Sequence, residues 1–185
     1  GENFRHAIIS LFPAFNKEDY LPKNANWAGL FDALVCQAAP ADNPERIRTY
    51  WYVIEHVDFS PYKLPRPEQD QQALEKALFL NEAVKQELLK LTGTARVERM
   101  RYHRDRLTHH KEIMVRRASG WRSVQDKIAL SHDAVEFRRA GAIRYDLFTG
   151  QLGDEKAVDV KLATDMIMLR DIYDIALIVS GDQDY

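Results

Sequence analysis

"AVDVKLATDMIMLRDIYDIALIVSGDQDY", residues 157–185, decides the fold. From Ala157 to Asp171 the apolar residues recur at helical intervals. "YDIALIVS" at 173–180 is then a short apolar run of the kind buried on both faces of a parallel sheet. Upstream, "AIRYDLF" at 142–148 reads as a further strand. Strand, helix, strand joined by short links is a βαβ unit. The expected class is α/β: a Rossmann-like parallel sheet flanked by helices.

Working outward, "GENFRHAIISLF" at 1–12 carries Phe4, Ile8, Leu11 and Phe12 at helical spacing and stops at Pro13. "NWAGLFDALVCQAA" at 26–39 predicts a second helix, with Asn26 as N-cap and Pro40 just past its end. "IRTYWYVIEHV" at 47–57 is dense in β-branched and aromatic residues and reads as a central strand. Pro61, Pro65 and Pro67 mark the exit from the sheet. "QQALEKALFLNEAVKQELLKLTG" at 71–93 puts Leu74, Leu78, Val84, Leu88 and Leu91 on one helical stripe closed by Gly93. The basic stretch 94–117 and "WRSVQDKIALSHDAVEFRRAG" at 121–141 also read as helices, the latter closed by Gly141. Residues 1–61 and 132–185 thus form a discontinuous sheet domain, interrupted at 62–131 by a basic helical insertion two or three helices long.

Of the 185 residues, 45% are hydrophobic and 29% charged, the balance of an ordinary globular protein. No apolar run reaches the ~18–20 residues of a membrane helix, and no signal peptide is visible. The single cysteine, Cys36, excludes an internal disulfide and a cysteine-based zinc cluster. A reducing cytoplasm is the expected compartment. The net charge of −2 hides an asymmetry: residues 94–122 hold nine Lys/Arg against three Asp/Glu, whereas 146–185 hold nine Asp/Glu against three Lys/Arg. That pattern fits a polyanion at one surface and a cation at another, or two solvated faces of opposite sign.

Ligands of open parallel sheets sit outside the carboxyl ends of the strands. Asp182 and Asp184 fall there, beyond a Gly181 that permits a sharp turn. Gathered carboxylates suit Mg²⁺ or Mn²⁺, which take oxygen ligands; turn aspartates capping backbone N–H groups are the alternative. Asp159 opens the preceding helix and belongs at the same rim, either as a ligand or as a complement to the helix N-terminus. Asp165 is six residues on, about 120° round the helix from Asp159. It has either a supporting role or that of a plain surface aspartate. Asn3 stands at the start of a helix, where a phosphate can bind or an N-cap is needed.

Three stretches, "GEN" at 1–3, "KAVDVKLATDM" at 156–166 and "VSGDQDY" at 179–185, together resemble the NYN domain, specifically the LabA-like branch of the PIN-like nuclease superfamily. That family opens on Asp-Gly-x-Asn, later carries Lys-Gly-Val-Asp-Val-x-Leu-Ala-x-Asp-Met, and closes its core with Val-Ser-Gly-Asp-x-Asp-Phe. Ala157 stands where the family has glycine, and Tyr185 where it has phenylalanine. The family's first aspartate would precede Gly1, so the resemblance describes a fragment whose natural chain continues at both ends. It covers the two ends of the sequence and leaves 62–131 unassigned. It implies a PIN-type sheet and a metal-dependent ribonuclease. In it Asp159 and Asp182 bind Mg²⁺ or Mn²⁺, and Asp184 joins them or orients a water. Asn3 assists, while Asp165 and Ser180 support. The alternative is a PIN-like adaptor for RNA or protein that has lost turnover.

An RNA substrate needs positive charge nearby. Arg104, Arg116, Arg117 and Arg122 in the basic insertion are candidates for phosphate contact. Tyr102 and Trp121 are candidates for base stacking. Two other readings stand beside this one: intrahelical Arg–Glu pairs on a solvated helix, and an insertion that docks a protein or a second copy of the chain. His103, His109 and His110 lack the i,i+4 spacing of helical zinc sites and read as exposed polar residues.

Overall fold

Asn26 ends an irregular run and starts a helix. Its Oδ1 accepts a hydrogen bond from the Gly29 N–H at 2.9 Å, the N-cap expected from sequence, and α1 spans Trp27–Ala38. The structure, a computed structural model, describes residues 7, 8, 10, 20–40 and 43–180. After α1 come β1 (Thr49–Ser60), α2 (Pro67–Leu78), α3 (Glu82–Leu89), α4 (Gly93–Ser131), β2 (Val135–Asp146), β3 (Gln151–Lys156), α5 (Val158–Met168) and a 3-10 turn, Arg170–Ile172. The helix expected at 1–12 lies mostly outside the described residues; Ala7, Ile8 and Ser10 are helical.

The strands form one sheet in the order β1-β2-β3. Thr49 N–H donates to Ala134 O at 2.7 Å, and Leu147 N–H donates to Ser60 O at 2.9 Å. Residue numbers therefore rise together along both strands, and β1 and β2 are parallel. Parallel neighbours need a long crossover, which α2, α3 and α4 supply. β3 returns beside β2 through a tight turn. There Gly150 N–H donates to Asp146 O, and the Asp146 carboxylate accepts from the Phe148 and Thr149 N–H groups. The α/β class holds, with a mixed sheet in which β3 is antiparallel.

Four local expectations are corrected. Residues 135–141, expected as helix, are the first half of β2. The turn at His132–Ala134, with Ala134 at φ 56°, ends α4, and alternation in "VEFRR" takes over. The stripe at 71–93 is two helices, because Asn81 caps a new one by accepting from Val84 N–H at 3.1 Å; Gly93 opens α4 rather than closing a helix. "YDIALIVS" forms no strand: Ile175, Leu177, Ile178 and Val179 are 41–62% exposed. A β-branched run needs a ladder partner before it becomes a strand, and among the described residues none pairs with it. β1, expected as central, is an edge strand among the described residues.

The chain divides into two compact units: Gly1–His56 with Ser119–Ala142 and Glu155–Tyr185, and Val57–Ala118 with Ile143–Asp154. In the first, Trp51 of β1 stacks on Phe137 of β2 at 5.2 Å between ring centroids. Trp27 and Phe31 of α1 meet Trp51 edge-on at 5.1 and 5.8 Å. On that same face, Arg139 donates to Gln125 Oε1 and pairs with Asp126 at 2.6 Å, joining β2 to the end of α4. Tyr50, Tyr52 and Arg138 alternate to the opposite face, which carries α5. In the second unit the core is aliphatic. Leu74 and Leu78 of α2, Val84 and Leu88 of α3, and Met100, Leu107 and Met114 of α4 are all buried. The seven-residue spacing of the last three keeps one seam inward along the helix.

The aromatic cluster carries the first unit's apolar face. Trp51→Ala is expected to destabilise the fold by about 3–5 kcal/mol, read as a lower urea midpoint with loss of near-UV circular dichroism. Trp51→Phe, which retains ring packing, should cost less than half as much.

Candidate active site

Close backbone approach sets where α5 begins. Gly141 sits within β2 at φ +64°, and a Cβ placed there would lie 1.8 Å from the carbonyl oxygen of Lys156 in β3. Only glycine admits that contact. One residue beyond Lys156, Ala157 takes φ 67°, ψ 11°, the left-handed region. That geometry explains why glycine suits this position in the sequence pattern. α5 follows, with Asp159 exposed in its first turn and Asp165 buried near its end.

The two aspartates have separate environments, as their ~120° offset predicts. Asp165 is 4% exposed, which rules out the surface reading. Its Oδ2 accepts from the Tyr52 hydroxyl at 3.2 Å, and its Oδ1 accepts from Lys161 Nζ at 2.7 Å, one helical turn back. Burial pushes its carboxyl pKa up. The hydrogen bonds from Lys161 and Tyr52 and the charges of Lys161 and Arg138 outweigh that, so the group is held below the ordinary carboxylate range. Burial and the neighbouring carboxylate push the Tyr52 phenol well above its ordinary value, so it stays a donor. Arg138 completes the surround, its guanidinium 4.6 Å from the Tyr50 ring centroid.

Asp159, by contrast, makes no hydrogen bond or ion pair among the described residues. Asn3, Asp182 and Asp184 lie outside the described residues, so Asp159 is the one expected metal ligand that is described. Ser180 is exposed and extends from no helix or strand. Among the described residues, no group of three or more His, Cys, Asp or Glu side chains is placed to hold a metal ion. An exposed, unspent carboxylate of hard-oxygen character fits one position of a Mg²⁺ or Mn²⁺ site. Sequence reasoning singled out Asp165 but missed Tyr52, which is 113 residues away; the Lys161–Asp165 i,i+4 spacing was the visible part of the signal.

The basic stretch sorts differently from expectation. Its partners are the carboxylates of neighbouring helices. Arg96 pairs with Glu75 at 2.6 Å, Arg99 with Glu87 at 2.5 Å, and Arg101 with Glu68. Arg104 is spent on the Leu64 carbonyl and Asp105, and Arg122 donates to the Glu55 carbonyl. Trp121 is 7% exposed and stacks on Tyr20 at 5.5 Å, so its ring is a core element and offers no face to a base. Arg116 and Arg117 are exposed, as is Tyr102. His103 is also corrected: it is buried, with Nε2 2.8 Å from Glu87 Oε2. Burial lowers its pKa, more than Glu87 raises it. His110 Nδ1 lies 2.8 Å from the Leu147 carbonyl. Among the described residues, no helix is long and apolar enough to cross a membrane.

A family model described as the NYN domain matches residues 82–185, more than half of the chain. The matched span runs from α3 through α5 and includes much of the stretch the sequence motifs had left unassigned. No curated protein and no solved structure matches the chain.

The stabilities of three variants test this local design. Gly141→Ala should destabilise by at least about 1–3 kcal/mol from backbone strain alone. Ala157→Gly should stabilise by about 1 kcal/mol, by relieving a left-handed alanine. Asp165→Asn should lose about 1.5–3 kcal/mol at pH 7, the worth of hydrogen bonds to a charged group. Because the folded pKa of Asp165 is depressed, its contribution is present above the ordinary value of about 3.9. It is lost as pH falls through the folded value. The variant's urea midpoint should therefore fall less steeply below pH 4 than the parent's.

Proposed function

The chain belongs to the NYN domain family, a PIN-like, nuclease-like family, and on that premise we propose that it is a Mg²⁺- or Mn²⁺-dependent ribonuclease of the LabA-like branch. The observation that carries the reading is the division of labour along α5. Asp165 is consumed by Tyr52 and Lys161 inside the fold, while Asp159 stands exposed in the first turn with its carboxylate unspent. A helix whose distal aspartate is anchored presents its proximal aspartate in a defined direction.

In this reading Asp159, Asp182 and Asp184 hold the cation, Asn3 assists, and Ser180 has a supporting role. The ion supplies Lewis acidity and charge neutralisation towards a scissile phosphodiester. Asp165 is a positioning residue that touches no substrate and acts by fixing α5. Carboxylates brought together repel one another and a phosphodiester alike. The acidic site by itself thus keeps RNA away, and productive engagement of the scissile phosphate requires the cation.

Cleavage of a labelled RNA by the full chain is expected with Mn²⁺ or Mg²⁺ and not in EDTA. Asp182→Asn and Asp159→Asn should each reduce the metal-dependent rate on the order of a hundred-fold or more. Tight Mn²⁺ binding by calorimetry, lost in both variants, is the accompanying readout. Cleavage that persists equally in EDTA and in Asp182→Asn would sink the proposal.

A further inference from the structure

The ion pairs of α4 leave one solvent row of that helix without carboxylate partners, and on it the helix carries an ordered aromatic ring. Tyr102, Arg106, His109, Ile113 and Arg116 recur at intervals of three and four residues, so they share a face. Tyr102 is 52% and Ile113 43% exposed; Arg106, His109 and Arg116 are exposed as well. The ring of Tyr102 is held from within the unit. Arg99, fixed by Glu87 at 2.5 Å, places its guanidinium 4.6 Å from the Tyr102 ring centroid, and His103 meets that ring edge-on at 5.4 Å. Glu87 thus orders Arg99 and His103 together, and both order Tyr102. An exposed aromatic side chain ordinarily keeps its rotamer freedom; this one is arranged before any ligand arrives.

We propose that this row of α4 is a single-strand RNA platform, with Tyr102 stacking a base and Arg106 and Arg116 contacting phosphates. A base stacked on an aromatic ring with cations along the same line is the recurring chemistry of sequence-tolerant single-strand binding. From Tyr102 to Arg116 the helix advances about 21 Å at 1.5 Å per residue. That length spans roughly six nucleotide steps at a stacked spacing of about 3.4 Å. The helix's own carboxylates, Glu98, Asp105 and Glu112, stand four residues before Tyr102, His109 and Arg116 and flank the row, about 40–80° from its mean direction. None of them forms an ion pair with Arg106 or Arg116 among the described residues. Asp105 is moreover taken by Arg104 at 2.7 Å. A duplex is a poor fit, since its bases are already stacked and paired. The choice of RNA over DNA rests on the ribonuclease reading; the platform itself does not need turnover.

The test is fluorescence anisotropy of a labelled single-stranded 12-mer RNA with the full chain in EDTA, where cleavage cannot contribute. Tyr102→Ala should weaken binding about ten-fold, while Tyr102→Phe, which keeps the π-face, stays within about two-fold of the parent. Arg106→Gln with Arg116→Gln should flatten the slope of log affinity against log salt by about 1.4, from about 0.7 per single-strand phosphate. A matching duplex should bind more weakly and ignore Tyr102→Ala. Single-stranded DNA that binds as RNA does, with the same Tyr102 dependence, keeps the platform and removes only the preference for RNA. Unchanged affinity in Tyr102→Ala and an unchanged salt slope in the double variant, with unfolding midpoints intact, overturn the platform. So does oligoglutamate that competes as well as RNA, which points to a protein partner. Metal-dependent cleavage with no role for Tyr102 would leave the nuclease reading standing alone. Tyr102-dependent binding without cleavage in Mn²⁺ would remove the nuclease reading and keep the platform.

Discussion

A carboxylate taken out of water must be paid for by partners, and Asp165 shows how this fold does it. Lys161 approaches from one turn away on the same helix, and Tyr52 reaches in from β1. Remove either and a buried ion is left short of a hydrogen bond, which costs more than the bond itself was worth. The consequence is directional. A bond from a strand side chain to a residue late in α5 sets the rotation of that helix against the sheet. Rotation in turn decides that Asp159 faces solvent. At the other end of the helix, backbone contact between Gly141 and Lys156 and the left-handed Ala157 set where the helix starts. Start and rotation together leave little freedom in how the first turn is presented.

The long helix α4 follows a different logic. Its apolar residues at positions 100, 107, 114, 121 and 128 recur every seven residues. A seven-residue repeat holds one seam inward over many turns with little drift. The remaining surface is then free to carry charge. Glu68, Glu75 and Glu87 on α2 and α3 neutralise the cations at its amino-terminal end. These are partly exposed pairs, each worth little as stabilisation. Their larger effect is on the surface they leave behind, because they decide which cations still face outward.

Much of the fold was legible where a local rule sufficed. The Asn26 cap, the strand at 49–60 with its β-branched and aromatic residues, and the helix "VDVKLATDMIM" all follow from side-chain chemistry acting within a few residues. The failures have one cause. Gly141 was read as a helix stop because glycine commonly ends helices. Here it serves a backbone approach from β3 that no local rule contains. "IALIVS" carries strand propensity, but a strand is a property of two segments, and composition states only one. Trp121 and Arg104 were read as surface groups because aromatic and basic residues in a charged run look exposed. The heptad seam and the carbonyl of Leu64 say otherwise.

By itself the sequence determined the class of fold, the position of most helices, the family, and the identity of the carboxylates worth testing. Those depend on periodicity, capping and short motifs, all of which are local. Only the tertiary structure decided that β3 runs antiparallel, that Asp165 is an internal anchor while Asp159 is not, and which cations of α4 are already spent. The anchor turns on Tyr52, 113 residues away, and the spent cations on α2, α3 and the Leu64 carbonyl. The direction of β3 turns on a tight turn whose outcome shows only in the paired strands. Burial sets what a charged group can do, and burial is a property of the assembled unit, not of the residue.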